Sequence, residues 1–323
     1  MSQRVAKPRV FITQPVAESA IKRLRKVASV KINPDASRVI GKRALIAAVR
    51  RCDILFCLPH DKIDSDVIAV NPKLRMIAAM SVSPSHIDVA EATAPRIPVT
   101  VIPVLQTETT ADLCFGLMIA AARRILEGDR LVRAGKFPGA QSSYLLGALV
   151  HGKTLGLIGG GGAIGKAVAR RARGFDMRVL YWTPHRKPAR EEREAGLIYT
   201  PLDRLLRQSD FVSLHSPLNK QTRHQIGSRE FQLMKKTGYF INTARGPVVD
   251  EAALTRALKA KQIAGAGLDV FEFEPKVSKE LRALPNVVLT PHLGSAVGEP
   301  REAMAHLVTD RILAFLAGKK LEN

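Results

Sequence analysis

The sequence predicts an α/β protein built from two doubly wound parallel sheets in series, with a late helix returning to the first. Three observations carry that expectation. Short apolar runs of strand length alternate with segments of helical period. The alternation restarts after a glycine- and serine-rich stretch at 135–147. The 323 residues, 46% of them hydrophobic, can fill two cores of ordinary size.

The elements follow in order. RVFITQP (9–15) reads as a strand, AESAIKRLRKVA (17–28) as a helix, and DILFCLP (53–59) and RMIAAMSV (75–82) as strands. HIDVAEATA (86–94) reads as a helix and IPVTVIP (97–103) as a strand. One long helical segment runs from about Thr109 to Ala134, apolar and then charged, and the loop GKFPGAQSSYLLG (135–147) follows. From Gly152 the pattern begins afresh. KTLGLIG, MRVLYW, DFVSLHSP, GYFINTA, IAGAGLDV and NVVLTP read as strands. AIGKAVARRAR, LDRLLRQS, SREFQLMKK and DEAALTRALKAK read as helices, and REAMAHLVTDRILAFLA (301–317) as a terminal amphipathic helix. Strands alternating with helices favour a parallel sheet covered on both faces.

Composition narrows the function. The net charge of +21 invites nucleic acid as a partner, but the basic residues are spread along the chain and aromatic residues are only 5%. Few base-stacking platforms are therefore available, and a field that favours small anions is the better reading. The longest apolar run, LCFGLMIAAA (113–122), is too short for a bilayer and is flanked by Asp112 and Arg123. MSQRVAKPRVF has no apolar core of a secretory leader. Cys52, Cys57 and Cys114 have no metal-ligand spacing, so reduced thiols, no metal and a cytoplasmic location are expected.

TLGLIGGGGAIGKAVARRA carries Gly160, Gly162 and Gly165 after a strand and before a helix, the context of a dinucleotide fingerprint. Gly160 would make a tight turn, Gly162 would let backbone approach a pyrophosphate, and Gly165 would pack helix on strand. Gly161, Ala163 and Ile164 complete the loop and bring the helix's first amides to the anion. The register Gly159, Gly161, Gly165 is also open.

The next strand ends at LYWTPHRK. An acidic residue there would bond the ribose hydroxyls of NAD. Here Thr183 is neutral, and His185, Arg186 and Lys187 follow. Arginine and lysine can bind a 2′-phosphate through charge-assisted bonds, so NADP(H) is expected in preference to NAD(H), which stays possible. The bland alternative is a solvated basic turn.

Three later stretches place chemistry after strands. FINTARGPVVDEAAL (240–254) offers Thr243 and Arg245, GAGLDVFEFEP (265–275) offers Asp269 and Glu274, and VVLTPHLGSA (287–296) offers His292 and Gly294. Together with SHIDVAEATAPRIPVTVIP, TADLCFGLMIAAARR, GKTLGLIGGGGAIGKAVA and LHSPL, these stretches resemble the D-isomer-specific 2-hydroxyacid dehydrogenases over nearly the whole chain. YWTPHRK and AMSVSPSHID resemble the glyoxylate/hydroxypyruvate reductases within that family.

The resemblance implies a flavodoxin-like substrate domain of residues 1–101 plus 293–323 and a Rossmann-like dinucleotide-binding domain of 102–292. It also implies a homodimer through an arm near 109–150, and a site between domains that closes to exclude water. Arg245 would clamp the substrate carboxylate, which its fork of donors suits. His292 would be the acid/base, with Glu274 accepting its ring N–H. Pro217 and Thr243 would line the cofactor trough, Asp269 would help position the cofactor, and Gly294 would sit near the nicotinamide. Glu272 is expected to face solvent, and His215 to pack.

In one loop the sequence departs from the family's pattern. Where the family has glycine in the substrate loop, this chain reads Ser81-Val82-Ser83-Pro84. The amides of Val82 and Ser83 can still cradle a carboxylate, but serine tolerates positive φ poorly and Pro84 restricts Ser83. The expected reaction is NADPH-dependent reduction of glyoxylate or hydroxypyruvate to the D-2-hydroxy acid. The alternatives are a dehydrogenase for phosphite, formate or a bulkier 2-oxo acid, and a non-enzymatic cofactor-sensing protein.

Overall fold

In the computed structural model, residues 6–321 are described. The stretch read for a leader lies partly outside the described residues. The chain forms two compact units. One runs up to Leu105 and resumes at Val297, and the other is Gln106–Ala296. The breaks thus follow residues 105 and 296, where the sequence reading set them after 101 and 292.

The first unit is a parallel sheet of β1 (Arg9–Ile12), β2 (Ser29–Ile32), β3 (Ile54–Cys57), β4 (Met76–Ala79) and β5 (Val99–Thr100), in the order β2-β1-β3-β4-β5. ILFC and MIAA are buried throughout, as central strands with two covered faces must be. Alternation sorts them. Ile54, Phe56, Met76 and Ala78 join one core, and Leu55, Cys57, Ile77 and Ala79 join the other. The terminal helix Gly298–Leu316 lays Met304, Ala305, Val308 and Ile312 on the first of these cores. Ser19 donates to Glu302 at 2.6 Å, and Arg23 pairs with Asp310 at 2.5 Å along the same contact. Ser83 is not among the non-glycine residues with left-handed backbone, so its loop does not demand a glycine, and its carbonyl accepts from Ser81 Oγ at 2.9 Å.

The second unit is a seven-stranded parallel sheet: β6 (Thr154–Ile158), β7 (Arg178–Trp182), β8 (Ile198–Tyr199), β9 (Phe211–Leu214), β10 (Tyr239–Asn242), β11 (Gly265–Leu268) and β12 (Val287–Leu289). Its order is β12-β11-β10-β9-β6-β7-β8, so the winding reverses between β6 and β9. That is where a doubly wound sheet opens a crevice at its carboxyl edge. Leu155, Leu157 and Tyr181 pack on one face with Cys114, Phe115 and Met118 of helix Thr107–Ala122. Ile158, Leu180, Val212, Leu214 and Phe240 fill the other.

Several elements differ from expectation. The long helix of 109–134 is two, Thr107–Ala122 and Ile125–Arg133. Ala148 N–H donates to the Ala122 carbonyl at 2.8 Å, which takes that acceptor away from a continuing helix. Arg124 then turns left-handed at φ 53° while gripping Glu127 through two bonds of 2.8 and 2.9 Å. The strand of 97–103 shrinks to Val99–Thr100, because Pro98 and Pro103 cannot donate to a ladder. Strands β2 and β8 and the helices Lys42–Val49, Ser65–Ala69, Ala189–Ala195 and Lys279–Arg282 were not expected. Most are too short to show a period.

Burial pushes His215, just past β9, down to about 4, and His86 in the first unit likewise. His215 Nε2 lies 3.0 Å from Ser213 Oγ, so the ring packs within the unit as expected. Between about pH 6.5 and 4 the unfolded chain therefore binds protons that the folded chain refuses, and stability falls as pH is lowered. Thermal melts at pH 7 and 4.5 should show a smaller acid loss for His215→Gln than for the parent. Equal losses would show that His215 does not contribute.

Candidate active site

The site grows from register. Trp182, Ile158, Leu214, Asn242, Leu268 and Leu289 are successive pairing partners across six strands. Thr183, Gly159, His215, Thr243, Asp269 and Thr290 are therefore the first residues beyond one line. At about 4.8 Å between strands, that edge is about 24 Å long. Backbone bonds of 2.7 to 2.9 Å extend the ladder one step past several of its strands, as in His215 N to Ile158 O and Asp269 N to Asn242 O.

The glycine loop leaves from the middle of this edge. Its left-handed residue is Gly159, at φ 79°, and not Gly160, so the tight turn expected at Gly160 belongs one residue earlier. A Cβ on Gly159 would lie 2.6 Å from Ser216 N, so the loop runs hard against the segment after β9. Gly160 and Gly165 face each other, and a Cβ on Gly165 would stand 2.5 Å from the Gly160 backbone. Gly165 therefore brings the helix down onto its own loop. The stem of Lys187 crosses Gly161, where a Cβ would stand 2.8 Å from Cε. Gly162 precedes helix Ala163–Arg173, which no side chain caps, and the nearest atom to a Cβ there would be the Gly159 carbonyl at 3.6 Å. Uncapped amides beside open space fit a pyrophosphate.

The basic strand end holds a carboxylate that sequence reasoning missed. Arg186 sends Nε to Glu192 Oε1 at 2.9 Å and Nη2 to Oε2 at 2.8 Å. Tyr181 Oη donates to Glu192 Oε1 at 2.7 Å and accepts from Lys187 N at 2.9 Å. Arg186 foremost, and then the Tyr181 hydroxyl, hold the Glu192 carboxyl down to about 2. Thr183 Oγ1 donates to the His185 carbonyl at 2.7 Å, closing the turn. Nothing in AREEREA marks Glu192, because its pairing is made by the fold and not by spacing.

Catalytic candidates occupy the far strands. Arg245 follows β10, is exposed and makes no ion pair among the described residues; its guanidinium donates to the Ala244 carbonyl at 2.7 Å, while its own carbonyl accepts from Asn242 Nδ2 at 3.2 Å. A guanidinium left available at a strand end has the fork of donors that suits a carboxylate or a phosphate. His292 Nδ1 lies 2.9 Å from Glu274 Oε2, and the ionised carboxylate can only accept, so the ring N–H donates. Glu274 Oε1 in turn accepts from Phe271 N at 2.9 Å, which fixes the carboxylate.

Asp269 is buried, and its oxygens are occupied by the His292 loop. They accept from Thr290 Oγ1 at 2.6 Å, Leu293 N at 2.7 Å and Gly294 N at 2.9 Å. Its carbonyl accepts from His292 N at 2.9 Å. These bonds hold His292 at φ 56°, a left-handed backbone uncommon outside glycine. The Gly294 carbonyl accepts from Thr109 and Thr110 at 2.8 and 3.2 Å.

Glu272 does not face solvent as expected. Its side chain is 6% exposed. It accepts from Glu251 N at 3.2 Å, while Glu251 Oε2 accepts from Glu272 N at 2.9 Å, and it meets His224 Nε2 at 2.6 Å. Gly246 completes the brace, because a Cβ there would stand 1.9 Å from the Phe271 carbonyl group. The backbone next to Arg245 is thus seated on the loop that carries Glu274.

A dinucleotide fits this edge on one further observation. Thr243 is 5% exposed, and its Oγ1 has no hydrogen-bond partner among the described residues. A buried hydroxyl left without a partner is costly, and a polar ligand group at this strand end would satisfy it. Open helix amides, an available arginine and a carboxylate-held imidazole on one edge define an NAD(P)-dependent oxidoreductase. The comparisons agree. Residues 115–294 match the family described as D-isomer specific 2-hydroxyacid dehydrogenase, NAD binding domain. A glyoxylate reductase of Thermococcus litoralis is 46% identical over 317 residues, covering 97% of this chain and 95% of that protein. The crystal structure of a Thermus thermophilus protein superposes with a TM-score of 0.90 at 38% identity, covering 98% of this chain and 99% of the other. An NADPH-dependent glyoxylate/hydroxypyruvate reductase from Sinorhizobium meliloti, solved with NADP and malonate, gives 0.80 at 31%, covering 98% and 96%. The chain belongs to the D-isomer-specific 2-hydroxyacid dehydrogenase family. It is an oxidoreductase that interconverts 2-oxo and 2-hydroxy acids with a nicotinamide dinucleotide.

The Gly246 brace is testable by one methyl group. Gly246→Ala should lower stability in urea by about 1–3 kcal/mol, the usual cost of overpacking, and should depress activity. Gly128→Ala, in an open helical position, should instead gain about 0.5–1 kcal/mol. Wild-type stability and activity in Gly246→Ala would remove the brace.

Proposed function

We propose that the protein reduces glyoxylate, hydroxypyruvate or a comparably small 2-oxo acid to the D-2-hydroxy acid, with NADPH preferred over NADH. The observation that carries this is the 2.9 Å bond from His292 Nδ1 to Glu274, on an edge where Arg245 stands exposed. Arg245 binds the substrate carboxylate with its fork of donors and draws charge toward the neighbouring carbonyl. His292, held in one tautomer by Glu274, gives its Nε2 proton to the carbonyl oxygen and takes it back in reverse.

Residues Gly160–Gly165 hold the pyrophosphate, while Thr183, His185, Arg186 and Lys187 serve the 2′-phosphate. Pro217, Thr243, Asp269 and Gly294 belong to the nicotinamide end, with Thr243 Oγ1 available as a donor and Asp269 acting through the loop it ties. When bound, the reduced dinucleotide supplies the hydride.

Small substrates are favoured by relatives that carry glyoxylate reductase activity in their names. The Sinorhizobium enzyme solved with NADP supports the phosphorylated cofactor, as does the absence of an acidic residue from 183–187. We place the protein in a reducing compartment, the cytoplasm, because its three cysteines are free and buried. It works as a homodimer through the arm near 109–150, where Ile125, Val132, Phe137, Leu146 and Leu149 are exposed.

Arg245→Ala and His292→Ala should each lower turnover of glyoxylate by about 10²–10⁴-fold, and Glu274→Gln by less. Initial rates across 2-oxo acids of increasing size, each with NADPH and NADH, check substrate and cofactor together. Near-normal turnover in both alanine variants removes the mechanism, and faster rates with bulky acids remove the substrate class.

A further inference from the structure

A cofactor reading that relies on Arg186 must explain why a carboxylate is bonded to it. Glu192 would repel a 2′-phosphate if it faced the ligand. It does not, because its side chain is only 9% exposed and its oxygens are taken by Tyr181 and Arg186. The edge of Arg186 that it takes is the side edge, Nε with Nη2. The end edge, Nη1 with the second Nη2 hydrogen, has no hydrogen-bond partner among the described residues, and the Arg186 side chain is 61% exposed. One face of the guanidinium lies 5.5 Å from the centroid of the Tyr199 ring. An exposed arginine ordinarily samples many rotamers, and ordering it weakens binding. Here a two-point bond on one edge and a ring on one face fix the plane, leaving the edge that can fork a phosphate.

We propose that Glu192, supported by the Tyr181 hydroxyl, is a positioning residue that presents the end edge of Arg186 to the 2′-phosphate of NADP(H) and so sets the cofactor preference of this chain. The proposal rests on the reading of Arg186 given above. Glu192 touches no ligand. It acts by pre-ordering the guanidinium and by facing inward, where its own charge is neutralised by the group it holds. Lys187 contributes the second cation, and its backbone N–H is tied to the same Tyr181 oxygen at 2.9 Å. The turn and the arginine are therefore fastened to one buried pair.

The test compares KM for NADPH and for NADH, with glyoxylate saturating, in the full-length protein and in Glu192→Gln, Tyr181→Phe and Arg186→Ala. Gln keeps the shape and a hydrogen bond from Tyr181 but loses the ionic two-point grip. Glu192→Gln should raise KM for NADPH about tenfold, the weight of one charge-assisted bond, while KM for NADH moves less than about twofold. Tyr181→Phe should shift the ratio in the same direction by less, and it guards against a misfolded Gln variant. A role confined to fastening the helix Ala189–Ala195 would move both KM values together or neither. Either result overturns the proposal, as does an increased NADPH preference on freeing Arg186. If Arg186→Ala lowers the NADPH preference and Glu192→Gln does not, positioning fails while the reading of Arg186 survives. If Arg186→Ala leaves the ratio unchanged, the reading falls and takes the proposal with it.

Discussion

One constraint governs the second unit: its parallel strands are held in a register that ends six of them on a single line. A parallel sheet has no hairpins, so every strand needs a covered crossover, and both faces must be apolar. Leu155 and Leu157 go to one face while Gly156 and Ile158 alternate with them. Small residues in β6 and β11 let helices and side chains approach closely, and a Cβ on Gly156 would stand 2.5 Å from Leu205 Cδ2. Once the faces are sealed, the carboxyl edge is where polar side chains can stand without a burial cost. The residues proposed to touch substrate or cofactor in this unit leave from that edge, from the loop just beyond it or from the first turn of the helix that follows.

A register line positions the start of a loop, not its third or fourth residue. That precision comes from carboxylates that bond backbone amides of the same unit. Past the strand ends, N–H groups lack ladder partners, and unmet buried donors are costly. Asp269 meets Leu293 and Gly294, Glu274 meets Phe271, and Glu272 and Glu251 meet each other's amides. The same bonds that satisfy the loops fix the imidazole and its partner. His292 is held in a left-handed backbone, and Gly246 permits a contact closer than any side chain would allow. A left-handed backbone at His292 and a close approach beside Arg245 fall among such features elsewhere in the chain, and here they fix loops at the sheet's carboxyl edge.

The alternation of apolar runs with helical ones was enough to read the two-sheet α/β fold, and strand-end motifs pointed to Arg245, Glu274 and His292, which follow β10, β11 and β12. What escaped has identifiable causes. The end of helix Thr107–Ala122 is imposed by Ala148, whose amide arrives from a distant loop and leaves no local signal. β2 and β8 are edge strands with no fully buried residue, so SVKI and IY offer no apolar run to read. Gly159 and Gly160 could not be told apart within a run of four glycines, since the deciding contact is with Ser216 in the segment after β9. Glu272 looked like a solvated acid beside Glu274. Only the fold shows it turned inward against Glu251 and His224.

The basic strand end shows why charge counting misleads. In the doubly wound fold, an acid at this place bonds the ribose of NAD. This chain has neutral and basic residues at 183–187, yet an acid is present all the same, carried in from the following helix and buried under the turn. A carboxylate's effect on a neighbouring phosphate depends on whether its charge is exposed or matched. With Arg186 across both oxygens and Tyr181 on one, the Glu192 charge is matched locally, and the guanidinium is held in a fixed plane. The net charge of +21 therefore says little about this site. Scattered surface cations give a screened, diffuse attraction to anions of every kind. Discrimination between a hydroxyl and a phosphate on one ribose carbon needs donors held at fixed positions, and in the reading proposed above the buried acid would supply that as much as the base it holds.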